Sequence, residues 1–169
     1  MKNLHPDLFY ESIYDINISR LLKMNIKGMI FDIDNTLVDY KTKTADSRLS
    51  AWLKAIESLG FKPAVVSNSS KSRSEIFAKD LGLSFFGNAK KPLRSGLLKA
   101  AAEMGLQPEN IAMVGDQIFT DIWGAKRCKM LAILVSPISS YDPHFVRFKR
   151  KFEGRFVKKV KQNTQPLNS

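Results

Sequence analysis

Two carboxylates, Asp32 and Asp34, stand one residue apart where the apolar run Gly28-Met29-Ile30-Phe31 gives out, and Asn35-Thr36 follows directly. A second apolar run, Ile111-Ala112-Met113-Val114, ends in Gly115-Asp116, with Asp121 a short way beyond. Acids in such positions can attack phosphorus, move protons and hold a hard cation through oxygen. Crowded together without a cation they repel one another, and burial favours their protonated forms. Magnesium resolves that conflict, so Asp32, Asp34 and Asp116 read as candidates for one magnesium-binding, phosphate-handling site. Ser67, in Val65-Val66-Ser67-Asn68-Ser69, offers a hydroxyl plus the amides of its loop to a phosphate oxygen. Lys91, just before Pro92, offers a charge to a transferring phosphoryl group. Each has an ordinary reading too. Ser and Asn are common turn residues, the adjacent Lys90 and Lys91 could be plain surface lysines, and Thr120-Asp121 ahead of Ile122-Trp123 could simply cap a helix.

Periodicity supplies the elements that must position these residues. Gly28 to Ile33 is short, apolar and partly β-branched, a buried strand, and the chain must turn near Asp34, where Asn35 and Thr36 can bond nearby backbone groups. Leu49, Trp52, Leu53, Ile56 and Leu59 recur at helical spacing, so a helix is predicted over 47–59, ending at Gly60. A strand at 63–67, a helix at 72–81 stopped by Gly82 and a strand at 83–86 follow. Next come a helix from Pro92 to Met104 ended by Gly105, a strand at 111–114, a helix at 120–128 and a strand at 131–135. Residues 8–26 have no clean period and read as a turn or helix followed by a helical segment. Alternating strands and single helices predict an α/β fold: a three-layer, Rossmann-like sandwich on a parallel five-stranded sheet. In such a sheet the ligand crevice lies at the carboxyl ends of the strands, where Asp32, Ser67 and Asp116 fall.

Bulk properties narrow the setting. The chain's 169 residues fit one domain, expected over residues 1–143, and its 44% hydrophobic content argues against disorder throughout. The single cysteine, Cys128, cannot form an internal disulfide, and no Cys/His cluster suggests zinc, so a buried thiol in a reducing compartment is expected. The first residues lack the apolar core of a secretory signal and the Arg/Ser-rich character of a transit peptide, which points to a cytoplasmic location. Of the net charge of +11, +7 falls in residues 144–169, where eight Lys/Arg face the single acid Glu153.

With those residues in view, Asp32-Ile33-Asp34-Asn35-Thr36 resembles the Asp-x-Asp-x-Thr motif of the haloacid dehalogenase (HAD) superfamily, and Ser67, Lys91 and Gly115-Asp116 with Asp121 follow in that family's order. The resemblance implies a phosphatase in which Asp32 is the nucleophile that forms an aspartyl-phosphate and Asp34 the general acid and base. It implies substrate contacts from Thr36, Ser67, Asn68 and Lys91. Magnesium would be held by Asp32, the Asp34 carbonyl and Asp116, with Asp121 in support. The family's cap domains enter between the first and second motifs or between the second and third. Residues 37–66 and 68–90 leave no room for one here. The chain is similar to the capless IIIA type, and its Asp-Asn-Thr-Leu and Gly-Asp-Gln-Ile-Phe-Thr-Asp stretches resemble the branch that contains phosphatidylglycerophosphate phosphatases.

An open crevice suits a phosphate carried on something large. In the tail, Phe148, Phe152, Phe156 and Val160 recur at helical spacing, with Arg147, Arg150, Lys151, Arg155 and Lys158 mainly opposite. A basic amphipathic helix of this kind lies in a membrane interface, and residues 145–161 are expected either to hold the protein peripherally at an anionic inner membrane face or to dock on its own core. The expected reaction is therefore magnesium-dependent dephosphorylation of phosphatidylglycerophosphate at a membrane. Its alternatives are a HAD phosphatase acting on a phosphoprotein, a nucleic-acid end or a soluble metabolite, and a non-catalytic module binding anionic lipid or RNA. Nucleic acid as a partner rests on charge alone, with no recognised motif.

Overall fold

The apolar runs become the strands of one sheet. The structure, a computed structural model, describes residues 4–39, 41–42, 44–69 and 72–139. Strands β1 (Leu8–Tyr10), β2 (Gly28–Phe31), β3 (Lys62–Val66), β4 (Ser84–Phe86), β5 (Ile111–Gly115) and β6 (Leu131–Val135) pair in the order β1-β6-β5-β2-β3-β4. Every pairing is parallel. Helices α1 (Ile18–Lys23), α2 (Ser47–Ser58), α3 (Ser72–Asp80), α4 (Arg94–Met104) and α5 (Trp123–Arg127) connect them.

All of β2 is buried, because both faces of the sheet are covered. Successive side chains point to opposite faces, so Met29 and Phe31 pack with Leu21, Leu53, Ile56 and Phe77 from α1, α2 and α3. Ile30 packs instead with Leu97, Ala100 and Ala125 from α4 and α5. Each large apolar side chain so buried stabilises the fold by about 1.5–3 kcal/mol. Asp46 caps α2 by accepting the Leu49 N–H at 2.7 Å. Midway along α2, Trp52 meets the Phe31 ring edge-on at 5.8 Å. Helix α4 stops at Gly105, whose φ of 66° is left-handed, as its sequence predicts.

The topology fixes the crevice. From β2 the chain winds outward through β3 to β4, then returns through α4 to β5 on the other side of β2. The connections leaving the carboxyl ends of β2 and β5 therefore diverge, which opens a crevice between them. Phe31 is in register with Val114, so Asp32 and Asp116 leave those two strand ends side by side. Among the described residues the chain between β2 and β3 is a loop and α2, and between β3 and β4 it is α3. No cap domain is inserted in either.

The structure corrects three readings of the sequence. The sheet has six strands, not five: Leu8–Tyr10 forms an edge strand on β6, anchored by the Asp7 N–H to the Ala132 carbonyl at 2.8 Å and by the Ala132 N–H to the Asp7 carboxylate. Leu8–Tyr10 lies in a stretch with no clean period, so nothing marked it as a strand. Pro92 is not the first residue of a helix, because α4 starts at Arg94 and Pro92 sits in a turn closed by the Leu93 N–H on the Lys90 carbonyl at 2.8 Å. The helix predicted over 120–128 is a wider π-type turn, Ile118–Ile122, followed by α5. Cys128 is a buried thiol, as predicted. The expected boundary at 143 and the basic stretch 145–161 lie outside the described residues. No helix among the described residues is long and apolar enough to cross a membrane.

Candidate active site

Immediately after β2 the chain folds back on itself. Thr36, Leu37 and Val38 all donate their N–H groups to the Ile33 carbonyl at 3.0–3.2 Å, and the Asn35 N–H returns to the Val38 carbonyl at 2.6 Å. Asn35 takes φ 63°, a left-handed conformation that Asn tolerates better than most residues. The turn predicted near Asp34 is therefore present. It leaves Asp32 buried at the strand end, Asp34 half-buried beyond it, and Thr36 aimed back so that its hydroxyl donates to Asp116 Oδ1 at 3.3 Å.

Lys91 arrives from the other side of the sheet and joins the acids. Its Nζ lies 2.7 Å from Asp32 Oδ1, 2.7 Å from Asp121 Oδ1 and 3.1 Å from the Val66 carbonyl. The neighbouring Lys90 is exposed, so of the two candidate lysines it is Lys91 that enters the site. Asn68 holds it there: its side-chain NH2 donates to the Lys91 carbonyl at 2.9 Å and its Oδ1 accepts the Lys91 N–H at 2.6 Å. Ser67 is buried at the end of β3, with its hydroxyl oxygen accepting the Ser69 N–H at 3.1 Å.

Asp121 lies inside the π-type turn and not at a helix cap. Its Oδ2 accepts the Gln117 N–H at 3.1 Å, closing the turn that leads into α5, while its Oδ1 faces Lys91. That Oδ1 is fully buried, and the ammonium beside it is not aligned as a hydrogen-bond donor. Gly115 makes room for it, since a Cβ there would lie 2.3 Å from Asp121 Oδ2.

Carboxylate oxygens of Asp32, Asp116 and Asp121 all lie within 4.8 Å of one another. Three carboxylates against one ammonium leave two negative charges, which a divalent cation balances. All-oxygen donors and a buried oxygen without an aligned donor fit a small hard cation. The electrostatics agree. Burial, together with the charges of Asp121 and Asp34, pushes the Asp32 carboxyl up to about 7 against the opposing pull of Lys91. Burial also works against the Lys91 charge, but Asp121 and Asp32 outweigh it and hold the ammonium above its ordinary value.

A sheet with its crevice at a strand-order reversal and a buried acid–lysine cluster there define an enzyme site for phosphate chemistry. A model of the haloacid dehalogenase-like hydrolase family matches residues 44–129, a span containing Ser67, Lys91, Asp116 and Asp121. The chain is 36% identical over 157 residues to "Probable phosphatase YqeG" of Bacillus subtilis, which covers 93% of this chain and 91% of that protein. It is 29% identical to "Phosphatidylglycerophosphate phosphatase 1, chloroplastic" of Chlamydomonas reinhardtii, over 90% of this chain and 60% of that one. Among solved structures, the cobalt-bound deoxy-D-mannose-octulosonate 8-phosphate phosphatase of Haemophilus influenzae superposes with a TM-score of 0.54 at 17% identity, over 81% of this chain and 90% of that one. The chain belongs to the haloacid dehalogenase-like hydrolase family. It is an enzyme, a phosphatase of the HAD type, so the reading as a non-catalytic module is set aside.

Sequence reasoning missed the parts that hold the site together. The Gln117 N–H holds Asp121, the Val66 carbonyl receives Lys91, and the Asn35 side chain accepts from Ser139 N and Oγ at 3.3 and 3.0 Å, while Gly115, which the motif did name, leaves room for Asp121. Only the glycine beside Asp116 carried a signal. Backbone carbonyls and amides have none.

Proposed function

We propose that this phosphatase removes the terminal phosphate of phosphatidylglycerophosphate at a membrane surface, with magnesium as its cation. The observation that carries the phosphatase chemistry is the convergence of Asp32, Lys91, Asp116 and Asp121 between the ends of β2 and β5. Asp32 attacks phosphorus through a carboxylate oxygen, the bond to the leaving alcohol breaks, and Asp34 gives that alcohol its proton. Water then attacks the aspartyl-phosphate, Asp34 takes the water's proton, and Asp32 is restored with release of phosphate. Lys91 offsets the charge of the phosphoryl oxygens, and the Thr36 and Ser67 hydroxyls with the Asn68 loop orient them. Asn68 contributes through its backbone, because its side chain is engaged with Lys91. Magnesium, when bound, would be held by Asp32, the Asp34 carbonyl and Asp116 with Asp121 in support, and would neutralise charge between the acids and the phosphate.

Three observations support the lipid. Relatives in Chlamydomonas reinhardtii and Arabidopsis thaliana bear that substrate in their names, at 29% and 26% identity, although this chain spans 60% and 50% of their lengths. Among the described residues no cap segment stands over the crevice to exclude a bulky substrate. A cavity of about 580 Å³ opens beside Thr36, lined by the hydroxyls of Ser12, Thr42, Thr44 and Ser136, by Arg48 and by the acids Glu11, Asp39 and Asp46, whose oxygens can bond the hydroxyl of a glycerol-bearing headgroup. The test is phosphate release from vesicles of this lipid and from a panel of soluble phosphomonoesters, with and without magnesium. Release from soluble esters but none from the lipid refutes the substrate.

A further inference from the structure

The rim of the crevice carries exposed apolar side chains where solvent should favour polar ones. Leu93 is 49% exposed and Trp123 is 37% exposed. They lie two residues beyond Lys91 and Asp121, the ion pair at the heart of the site. Their segments touch: Arg127 Nη1 donates to the Pro92 carbonyl at 3.2 Å, its guanidinium lies 5.5 Å from the Trp123 ring centre, and a Cβ on Gly124 would stand 3.5 Å from Pro92. Cations flank them: Lys90 and Arg94 stand beside Leu93, and Arg127 beside Trp123, whereas Lys99 and Lys126 are paired with Glu103 and Asp7. The adjacent Asp121 is buried against Lys91.

Tryptophan and leucine ringed by arginine and lysine match the chemistry of an anionic bilayer surface: apolar groups at the acyl boundary, cations among the phosphates. We infer that the crevice rim, with Trp123 and Leu93 as its apolar contacts and Lys90, Arg94 and Arg127 as its cationic ones, docks on an anionic lipid bilayer. The inference rests on the lipid-substrate reading and names the surface that presents the site to it. A headgroup phosphate standing out from the bilayer then meets Lys91 and Asp32 without leaving the membrane plane.

The chain has two tryptophans, so Trp52→Phe leaves Trp123 as the sole reporter. Its fluorescence is followed on adding phosphatidylcholine vesicles with or without phosphatidylglycerol. Docking shifts the emission to the blue and shields it from acrylamide with the anionic vesicles alone, and Leu93→Ser with Trp123→Ser weakens vesicle partitioning by about tenfold. The difference spectrum between the unaltered chain and Trp123→Phe gives the same reading with Trp52 in place. Vesicle binding with Trp123 still in water overturns the inference. So does a blue shift that grows with protein concentration without vesicles, which assigns the patch to a second copy of the chain. Phosphate release from lipid vesicles with Trp123 unshifted removes the docking surface and leaves the substrate standing. A shift on the anionic vesicles without lipid hydrolysis keeps the surface and removes the substrate.

Discussion

Asp32 carries two opposed demands, since a nucleophile must be ionised and this one is buried among other acids. Its carboxyl is pushed up to about 7, above its ordinary value, first by burial and then by Asp121 and Asp34. The folded chain therefore binds this proton more tightly than the unfolded chain does. The stability it contributes is fully present below the unfolded value of about 4 and is lost as pH rises through about 7. With divalent cations chelated, Asp32→Asn should match the unaltered protein near pH 5 and exceed it near pH 8 by roughly 1–3 kcal/mol, because a neutral amide replaces a carboxylate costly to ionise. Thermal melts across pH in chelator measure this, and added magnesium should narrow the gap. Asp32 and Asp116 were legible in the sequence because each ends an apolar run, and Asp34 and Asp121 because they follow in the family's order. Their shared lysine was legible through its place before Pro92 in the family's order, but not the Asn68 side chain that holds it, since Asn68 read as a turn residue or substrate contact.

Small residues decide how closely the elements carrying these side chains approach. Gly96, in the first turn of α4, lies against the loop before Lys91, and a Cβ there would sit 2.5 Å from both Cα and O of Ala89. Backbone cannot yield as a side-chain tip can. Gly96→Ala should destabilise the protein by roughly 1–3 kcal/mol in urea titrations, whereas Ser95→Ala, one exposed position away, should stay within about 0.5 kcal/mol. The same substitution should lower turnover, since α4 can retreat only by moving the loop that carries Lys91. Strands β2 to β6 and helices α2 to α4 could be read from apolar runs, periodicity and glycine stops. Strand β1 and the π-type turn before α5 could not. One lies in a stretch without a clean period, and the other is shaped by Asp121 bonding back to Gln117.

At the scale of the molecule, two parts of the sequence bear on surface attachment, the crevice rim and the basic tail. The candidate site residues fall within residues 32–121, while residues 144–169 hold +7 of the net charge. Each basic residue near an anionic surface contributes about 1 kcal/mol, so removing 144–169 should weaken sedimentation with anionic vesicles at physiological salt and leave turnover of a soluble phosphomonoester unchanged. Unchanged sedimentation would place the attachment elsewhere. The chemistry was more legible than the substrate, because a nucleophile, a lysine and a cation cluster have fixed residue types, whereas an open crevice admits many alcohols. The most direct measurement is inorganic phosphate released from phosphatidylglycerophosphate vesicles in magnesium by the unaltered chain and by Asp32→Asn at equal concentration. The account predicts sustained release by the first and at least about a thousandfold less by the second. Equal release by both, or none from this lipid by a protein that hydrolyses soluble esters, would contradict it.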